Sequence, residues 1–269
     1  MTICAIILAA TLPVFDFATN SIAERIAGAD PAVCLSRFAD YPPRGKWRTN
    51  EKFWLRDVDF SCVSPWNDSC GALRAGTLIS RRHVIMAKHF PLWKGVRILF
   101  VDRQGEVCPC RIKATKSFDG SDILIGLLDY EVTPNIHPAK ILPENYEKYI
   151  GNGKGLPVIT FNQCEQTFLT EISSITTNHL TSIGSTNPKC EALGGKIVSG
   201  DSGNPAFLLV GNEPVLLYCL HSGGTGHGPS LFHRRHKIQR AMDDLCPGYK
   251  LQVFDFKTVT REQVIDERR

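Results

Sequence analysis

Ser202 lies in a stretch whose composition could support nucleophilic catalysis, VSGDSGNP over residues 198–205. A serine hydroxyl becomes a nucleophile only when a base removes its proton, and the attack also needs N–H donors that face the developing oxyanion. Glycine tolerates positive φ, so Gly200 can turn its own N–H and that of Ser202 toward one point, while Gly203 lets a substrate approach closely. The same residue types also form ordinary surface turns. A base and an acid elsewhere in the chain must therefore decide between the two interpretations.

A histidine and an aspartate stand where they could complete such a site. His89 follows an apolar run that begins at His83, and an imidazole at the end of a strand can face a cleft. His83 is the competing base, for which we predict a structural role. Asp122 opens another apolar run, where its carboxylate can hold an imidazole in one tautomer. Asp119 and Asp129 are the rival acids, and each is better suited to capping a turn.

The elements that must position these side chains are predicted to be strands. After residue 50 the chain contains short apolar runs rich in Val, Ile, Leu and Phe, with Gly, Pro, Asn or Asp at their ends. This pattern is typical of an all-β sandwich or pair of barrels, and no helical pattern alternates with the runs as a parallel α/β sheet would require. The runs are AGTLIS (75–80), HVIMA (83–87), GVRILFVD (95–102), DILIGLL (122–128), LPVITF (156–161), NPAFLLV (204–210) and PVLLYCL (214–220).

One helix is predicted near the C-terminus, together with one connection between two strand-rich halves. The helix has apolar residues spaced i, i+3, i+4 and i+7, and Pro247 and Gly248 end it. The polar, Pro- and Gly-rich stretch from about 133 to 154 is typical of a connection between domains. The apolar face of the helix consists of Ile238, Ala241, Met242 and Leu245.

Three of these segments carry a resemblance to a known family. Three segments follow one another along the chain: GTLIS with HVIMAKH, then SDILIGLL, then SGDSGNP. In this order they resemble the signature segments of the trypsin/chymotrypsin-like serine peptidase family, in its bacterial, secreted form. The resemblance implies an all-β fold of two antiparallel six-stranded β-barrels (chymotrypsin-like) with a C-terminal α-helix. The catalytic cleft would lie between the barrels. The implied domains are an N-terminal barrel over 45–135, a C-terminal barrel over 155–233, and a helix and tail over 234–269.

The resemblance also implies roles for the candidate residues. His89 matches the general base, Asp122 the orienting carboxylate and Ser202 the nucleophile of a Ser-His-Asp triad. The N–H groups of Gly200 and Ser202 match the oxyanion hole, and Asp201 matches the buried acid that shapes the serine loop. The implied activity is that of a serine endopeptidase that hydrolyses peptide bonds through an acyl-enzyme intermediate, with no cofactor and no metal. The alternative is a catalytically weak binding module on the same fold, although such a protein has no chemical reason to keep all three residues.

Substrate preference is implied by a fourth segment. CLHSGG over residues 219–224 resembles the IHWGG-type segment of glutamyl endopeptidases, whose histidine recognises an acidic side chain, and His221 matches that histidine. Lys196 lies where the family often places the residue at the base of the specificity pocket. Two such cationic groups favour Glu or Asp before the scissile bond, unless Lys196 points to solvent and His221 only packs. The residues implied in substrate binding are Lys196, His221, Ser222 and Gly223.

Four positions depart from the family pattern. Phe90 and Val198 stand where the family usually has cysteines, so two familiar disulfides are absent. Ile197 stands where glutamyl endopeptidases use a threonine, and Lys88 replaces a small residue beside the histidine. The acidic preference is therefore less well supported than the triad.

Composition and charge exclude several classes of protein. The chain has 269 residues, of which 43% are hydrophobic and 22% are charged, as in an ordinary globular domain. Its formal charge of +4 is mild and its Lys and Arg residues are scattered, so we predict no nucleic-acid partner. No apolar run is long enough to span a membrane. We expect a monomer that acts on a polypeptide substrate.

Residues 1–29 are predicted to be a signal or leader segment, which would make the protein secreted or extracytoplasmic. An apolar run over 3–14 is followed by small-residue cleavage sites at Ala23 and Ala29, although the positive n-region is missing. A buried N-terminal strand is the alternative. Arg25 and Ile26 also resemble the activation site of zymogens, in which a freed Ile amino group pairs with the acid beside the nucleophile.

The cysteines allow two further predictions. Ten cysteines suit an oxidising compartment, and Cys62 and Cys70 could close a short loop through a disulfide. A zinc site is the other use of such residues, but the candidates lack the two-plus-two spacing of such sites. Those candidates are Cys108, Cys110, Cys219, His221, His227, His233 and His236.

Overall fold

The computed structural model describes residues 18–40, 46–67, 73–195, 197–221 and 226–258. Within these ranges most of the regular structure is β, and a helix follows the last strand. Of the predicted all-β fold with a C-terminal α-helix, the mostly-β architecture and the helix are confirmed. The finer prediction of two six-stranded barrels is not confirmed by the strand pairing described below.

The first sheet contains six strands in the order β1-β4-β5-β6-β3-β2, and every neighbouring pair is antiparallel. Its central strands are continuous apolar runs whose residues are all buried, as in β3 and β6. β5 alternates exposed and buried residues at its start, so that one face meets the core and the other meets solvent. The strands are β1 (Trp66–Asn67), β2 (Thr77–Ser80), β3 (His83–Ala87), β4 (Arg97–Val101), β5 (Val107–Ser117) and β6 (Ile123–Leu128).

The first sheet curls so that the segment before β1 reaches the opposite edge. The Leu78 N–H donates to the Cys62 carbonyl at 2.8 Å, and the Ser64 N–H donates to the Gly76 carbonyl at 3.3 Å. Residues 62–67 therefore bond to β2 at one end and to β4 at the other.

The second sheet corrects the predicted count and the predicted orientation of strands. It contains seven strands in the order β13-β10-β9-β8-β11-β12-β7, and β7 pairs parallel with β12. The extra strand, β7, lies inside the stretch from about 133 to 154 that was predicted to be a connection between domains. Its residue Ile141 is apolar and fully buried, which stabilises the pairing. The strands are β7 (Lys140–Ile141), β8 (Pro157–Phe161), β9 (Thr167–Ile175), β10 (His179–Gly184), β11 (Pro205–Val210), β12 (Glu213–Cys219) and β13 (His227–Pro229).

Short helices flank the sheets. Residues 18–26 are helical and are called α1. α2 (Pro31–Cys34), α3 (Glu147–Ile150) and α4 (Pro188–Glu191) have one turn each, and α5 (Arg235–Leu245) packs on β5 and β6. No helix among the described residues is long and apolar enough to cross a bilayer.

The apolar face predicted for the C-terminal helix is confirmed. Ile238, Ala241 and Met242 are buried, and Leu245 is partly buried against the same core. That core is shared by both sheets. Phe60, which precedes β1, lies with its ring centroid 4.9 Å from Phe161 of β8 and 5.5 Å from Phe207 of β11. These aromatic contacts hold the two sheets together, which matters because the candidate site draws residues from both.

Candidate active site

His89 and Asp122 are brought together by the pairing of β3 with β6. Ala87 lies opposite Ile123 in the antiparallel register, so the residues just beyond these two ends are neighbours. The Lys88 N–H donates to the Asp122 carbonyl at 2.9 Å, and the His89 N–H donates to Asp122 Oδ1 at 2.9 Å. The second carboxylate oxygen, Oδ2, lies 2.6 Å from Nδ1 of the same histidine. The carboxylate therefore fixes both the backbone and the ring of His89.

Ser202 reaches the same place from the second sheet, in the loop that precedes β11. The Gly203 N–H donates to the Leu220 carbonyl at 2.8 Å, which ties the loop to the end of β12. Gly203 has φ +88, and a Cβ there would meet the Ala75 carbonyl oxygen at 3.3 Å and the Ala87 nitrogen at 3.5 Å. This close approach needs glycine. It seats the serine loop against the strand that carries the histidine.

The three side chains form one hydrogen-bonded chain. Nε2 of His89 lies 2.9 Å from Oγ of Ser202, while Nδ1 lies 2.6 Å from Asp122 Oδ2. Since Asp122 accepts the Nδ1 proton, Nε2 carries the lone pair and accepts the hydroxyl proton of Ser202. The His89 side chain is 42% exposed and the Asp122 side chain 14% exposed. The imidazole is thus open to a substrate, and the carboxylate is shielded behind it.

The backbone around Ser202 is shaped by Asp201. One carboxylate oxygen accepts the Gln163 N–H at 3.1 Å, and the other accepts the Val198 N–H at 2.8 Å. Burial raises the pKa of Asp201, and these two N–H groups oppose that rise. Both oxygens of Asp201 are engaged by the backbone, and Ile26 is buried in the core. The zymogen interpretation of Arg25–Ile26 stays a prediction.

Two observations concern the predicted oxyanion donors, Gly200 and Ser202. Gly200 has φ +102, the positive value that the sequence interpretation required. Within the described ranges, neither the N–H of Gly200 nor that of Ser202 donates to a hydrogen-bond acceptor. A Cβ on Gly200 would meet the amide of Gln163 at 3.0 Å. Gln163, in the turn between β8 and β9, was missed by the sequence analysis, because nothing local links it to Ser202.

The competing candidates have other roles. His83 is fully buried, and its Nδ1 lies 2.8 Å from Ser80 Oγ. Asp129 accepts the Arg111 N–H at 2.8 Å, and Asp119 is exposed. Neither aspartate is within the hydrogen-bonded chain of the candidate site. The turn-capping role expected for each stays a prediction.

A second histidine contacts the same carboxylate. Nδ1 of His221 lies 2.8 Å from Asp122 Oδ2, and the rings of His221 and His89 are 5.3 Å apart. His227 lies 5.5 Å from His221, ring to ring, and His179 lies 6.2 Å from His227. Burial, followed by the charge of Arg234, lowers the pKa of His179. The sequence placed His221 in the specificity pocket and gave no signal for its contact with Asp122.

Several predicted features lie outside the described residues. They are Lys196, Ser222 and Gly223 of the substrate-binding set, Cys70 of the proposed disulfide, and residues 1–17 of the proposed leader. The described part of the proposed leader forms α1 and packs into the core. Among the described cysteines, Cys34, Cys62, Cys108, Cys110, Cys164, Cys219 and Cys246 are free thiols.

No protein-family model matches the chain, and no curated protein matches it. The resemblance to trypsin-like peptidases therefore rests on the three sequence segments.

Proposed function

We propose that this protein is a serine-type hydrolase, an endopeptidase of the trypsin/chymotrypsin-like kind, acting through His89, Asp122 and Ser202. The observation that carries the proposal is the continuous chain from Asp122 Oδ2 to His89 at 2.6 Å and from His89 to Ser202 Oγ at 2.9 Å. These distances are those over which a general base takes a proton from a nucleophile.

The proposed reaction has two halves. Ser202 Oγ attacks the substrate carbonyl while its proton passes to Nε2 of His89, and the resulting oxyanion accepts N–H bonds from Gly200 and Ser202. The imidazolium, stabilised by Asp122, then gives that proton to the leaving amine, which departs and leaves an acyl-enzyme. Water attacks the acyl carbonyl, with His89 again as base, and releases the acid and the free serine. The same chemistry would hydrolyse an activated ester.

The family architecture is part of the proposal. Two β-barrels would account for the way residues 62–67 bond to both β2 and β4 at the edges of the first sheet. The proposal includes a secreted, monomeric enzyme with a polypeptide substrate, which follows from the family resemblance.

Ser202 should be the site of covalent labelling by a fluorophosphonate. This reagent reacts with a serine that has both a base and an oxyanion hole, so we expect stoichiometric labelling of the parent protein and none of Ser202→Ala. Asp122→Asn, which leaves His89 in the wrong tautomer, should slow labelling by about 10³-fold or more. Labelling is read from the mass of the intact protein.

The matched control is Ser173→Ala on β9, since the hydroxyl of that serine only bonds the Thr181 carbonyl, at 3.1 Å. It should label as the parent does. Absence of labelling in the folded parent would sink the hydrolase proposal and would favour a binding module on this fold.

The proposed acidic preference is tested by identifying the residues after which the protein cleaves peptides. His221 and Lys196 would donate charge-assisted hydrogen bonds to a carboxylate in the specificity pocket. We therefore expect a peptide library to be cut after Glu or Asp, and Lys196→Ala to reduce that cleavage more than tenfold. Cleavage after Leu or Arg by the parent would contradict the preference while leaving the triad intact.

A further inference from the structure

The carboxylate of Asp122 is shared by two imidazoles. Nδ1 of His89 and Nδ1 of His221 lie 2.6 and 2.8 Å from the same oxygen, Oδ2. One ligand atom from each of the three residues lies within 4.8 Å of the others, close enough for the group to hold a metal ion. Two imidazole nitrogens and one carboxylate oxygen are a ligand set that suits Zn²⁺. Of the two histidine contacts with Asp122, the endopeptidase reaction needs only the one made by His89.

The contact made by His221 is not an ordinary hydrogen bond. Its Nδ1 is buried and has no hydrogen-bond partner in the described structure, although Asp122 Oδ2 is only 2.8 Å away. At that distance a bond is missing only when the nitrogen does not point at the oxygen. A nitrogen that is placed to bind a metal behaves in this way, because it points at the ion and not at a neighbouring ligand. A buried nitrogen that makes no bond is also costly, because its lost hydration is not replaced, and a metal would remove that cost.

We propose that His89, Asp122 and His221 bind a divalent transition metal ion such as Zn²⁺, and that binding switches off the hydrolase. Zinc is bound at about 2.0–2.2 Å by nitrogen and oxygen, which sets tetrahedral ligand atoms roughly 3.3 Å apart. The present contacts are within 1 Å of that spacing. The ion can also enter from solvent, because the side chains of His89 and His221 are 42% and 36% exposed.

Metal binding would reverse the direction of the hydrogen bond between His89 and Ser202. A ligand nitrogen must be unprotonated, so the proton on Nδ1 of His89 has to move, through solvent, to Nε2. The ring stays neutral in this exchange and no proton is lost. Nε2 then donates a hydrogen bond to Ser202 Oγ and can no longer accept the hydroxyl proton. The ion would thus inactivate the nucleophile without touching it.

Direct Zn²⁺ binding is the primary test, with titration calorimetry and a competing chromogenic chelator as the two readouts. We expect one Zn²⁺ per chain for the parent and for Ser202→Ala, which keeps all three ligands. His221→Asn and Asp122→Asn should each weaken zinc binding more than tenfold. Removing a residue that only orients a ligand lowers metal affinity by about 10- to 100-fold, and removing the ligand itself should lower it at least as much.

Two control variants separate this site from other histidines. His137 forms its own pair with Asp59, with 2.6 Å between Nδ1 and Oδ2, so His137→Asn removes a matched histidine that should not matter. His227→Asn tests the neighbouring ring and should change the affinity by less than about threefold. Zinc binding that requires His227 and survives Asp122→Asn would overturn the assignment.

The switch itself rests on the proposed hydrolase, whereas metal binding does not, so the two can fail separately. Zinc should slow fluorophosphonate labelling of the parent, and EDTA should restore it. Labelling that proceeds at full rate in saturating zinc refutes the switch, and failure to bind zinc refutes the site. A protein that binds zinc at one site but is never labelled retains the metal site and loses the hydrolase.

Discussion

Two histidines near the ends of β3 show how the environment of a residue decides its role. His89 is 42% exposed on its side chain and is held between a carboxylate and a hydroxyl, so it can exchange protons with a substrate. His83 is fully buried, and Nδ1 has only the Ser80 hydroxyl as a partner, at 2.8 Å. Burial lowers the pKa of His83 to about 4; the backbone of Met242 opposes this shift, the charge of Arg82 adds to it and that of Asp243 opposes it. A buried neutral imidazole is a structural group and not a base for catalysis.

Protonation of His83 should destabilise the protein at acidic pH. The folded-state pKa is below the unfolded value, so between pH 6.5 and about 4 the unfolded chain binds a proton that the folded chain does not. Stability is therefore complete above pH 6.5 and falls as the pH drops toward 4, by about 3 kcal/mol for this residue. Urea unfolding of the parent and of His83→Gln at pH 7 and pH 4.5 measures the difference.

His137, on the surface and paired with Asp59, provides the comparison. His137→Gln should keep the acid-dependent loss of the parent, whereas His83→Gln should lose most of it. An unchanged loss in His83→Gln would mean that other groups cause the acid sensitivity.

At the scale of elements, the candidate site depends on two junctions. The first is the antiparallel register of β3 and β6, which makes neighbours of His89 and Asp122. The second is the loop before β11, whose Gly203 lies close to the backbone of Ala87. Each junction is short and involves the backbone, which keeps the distances within the candidate site independent of long flexible side chains.

These elements also show what the sequence could predict. The apolar runs predict β3, β6 and β11, and the helical spacing predicts α5, because each signal is local. The triad could be predicted because its three segments resemble a known pattern. The parallel pairing of β7 could not, since two residues carry no periodicity. The contact of His221 with Asp122 was also hidden, because it depends on how the end of β12 meets β6 in space.

At the scale of the whole molecule, the N-terminal segment belongs to the packed core. Ala18, Ile22 and Ile26 of α1 are buried in the cluster that holds both sheets. Arg25 pairs with Asp57 and bonds to the side-chain oxygen of Asn212, which lies between β11 and β12. Cleavage after Ala23 would remove part of these contacts, and cleavage after Ala29 would remove all of them. The predicted cleavage therefore gives a mature protein without a complete α1, whereas the observed packing favours one that keeps it.

A chain that begins at Asp30 should be less stable than one that begins at Ala18. Burying an Ile side chain contributes roughly 1.5–3 kcal/mol, so losing Ile22 and Ile26 should lower the free energy of unfolding by about 3–6 kcal/mol. The chain that begins at Ala18 is the control, since it keeps α1 and differs from the shorter chain only by residues 18–29. Equal stability of the two shortened chains would show that the fold does not need α1. This result is expected if residues 1–29 are a leader that is removed. The N-terminus of the protein isolated from cells, read by mass spectrometry, would then be expected at position 30, whereas a stabilising α1 predicts that residues 18–29 remain.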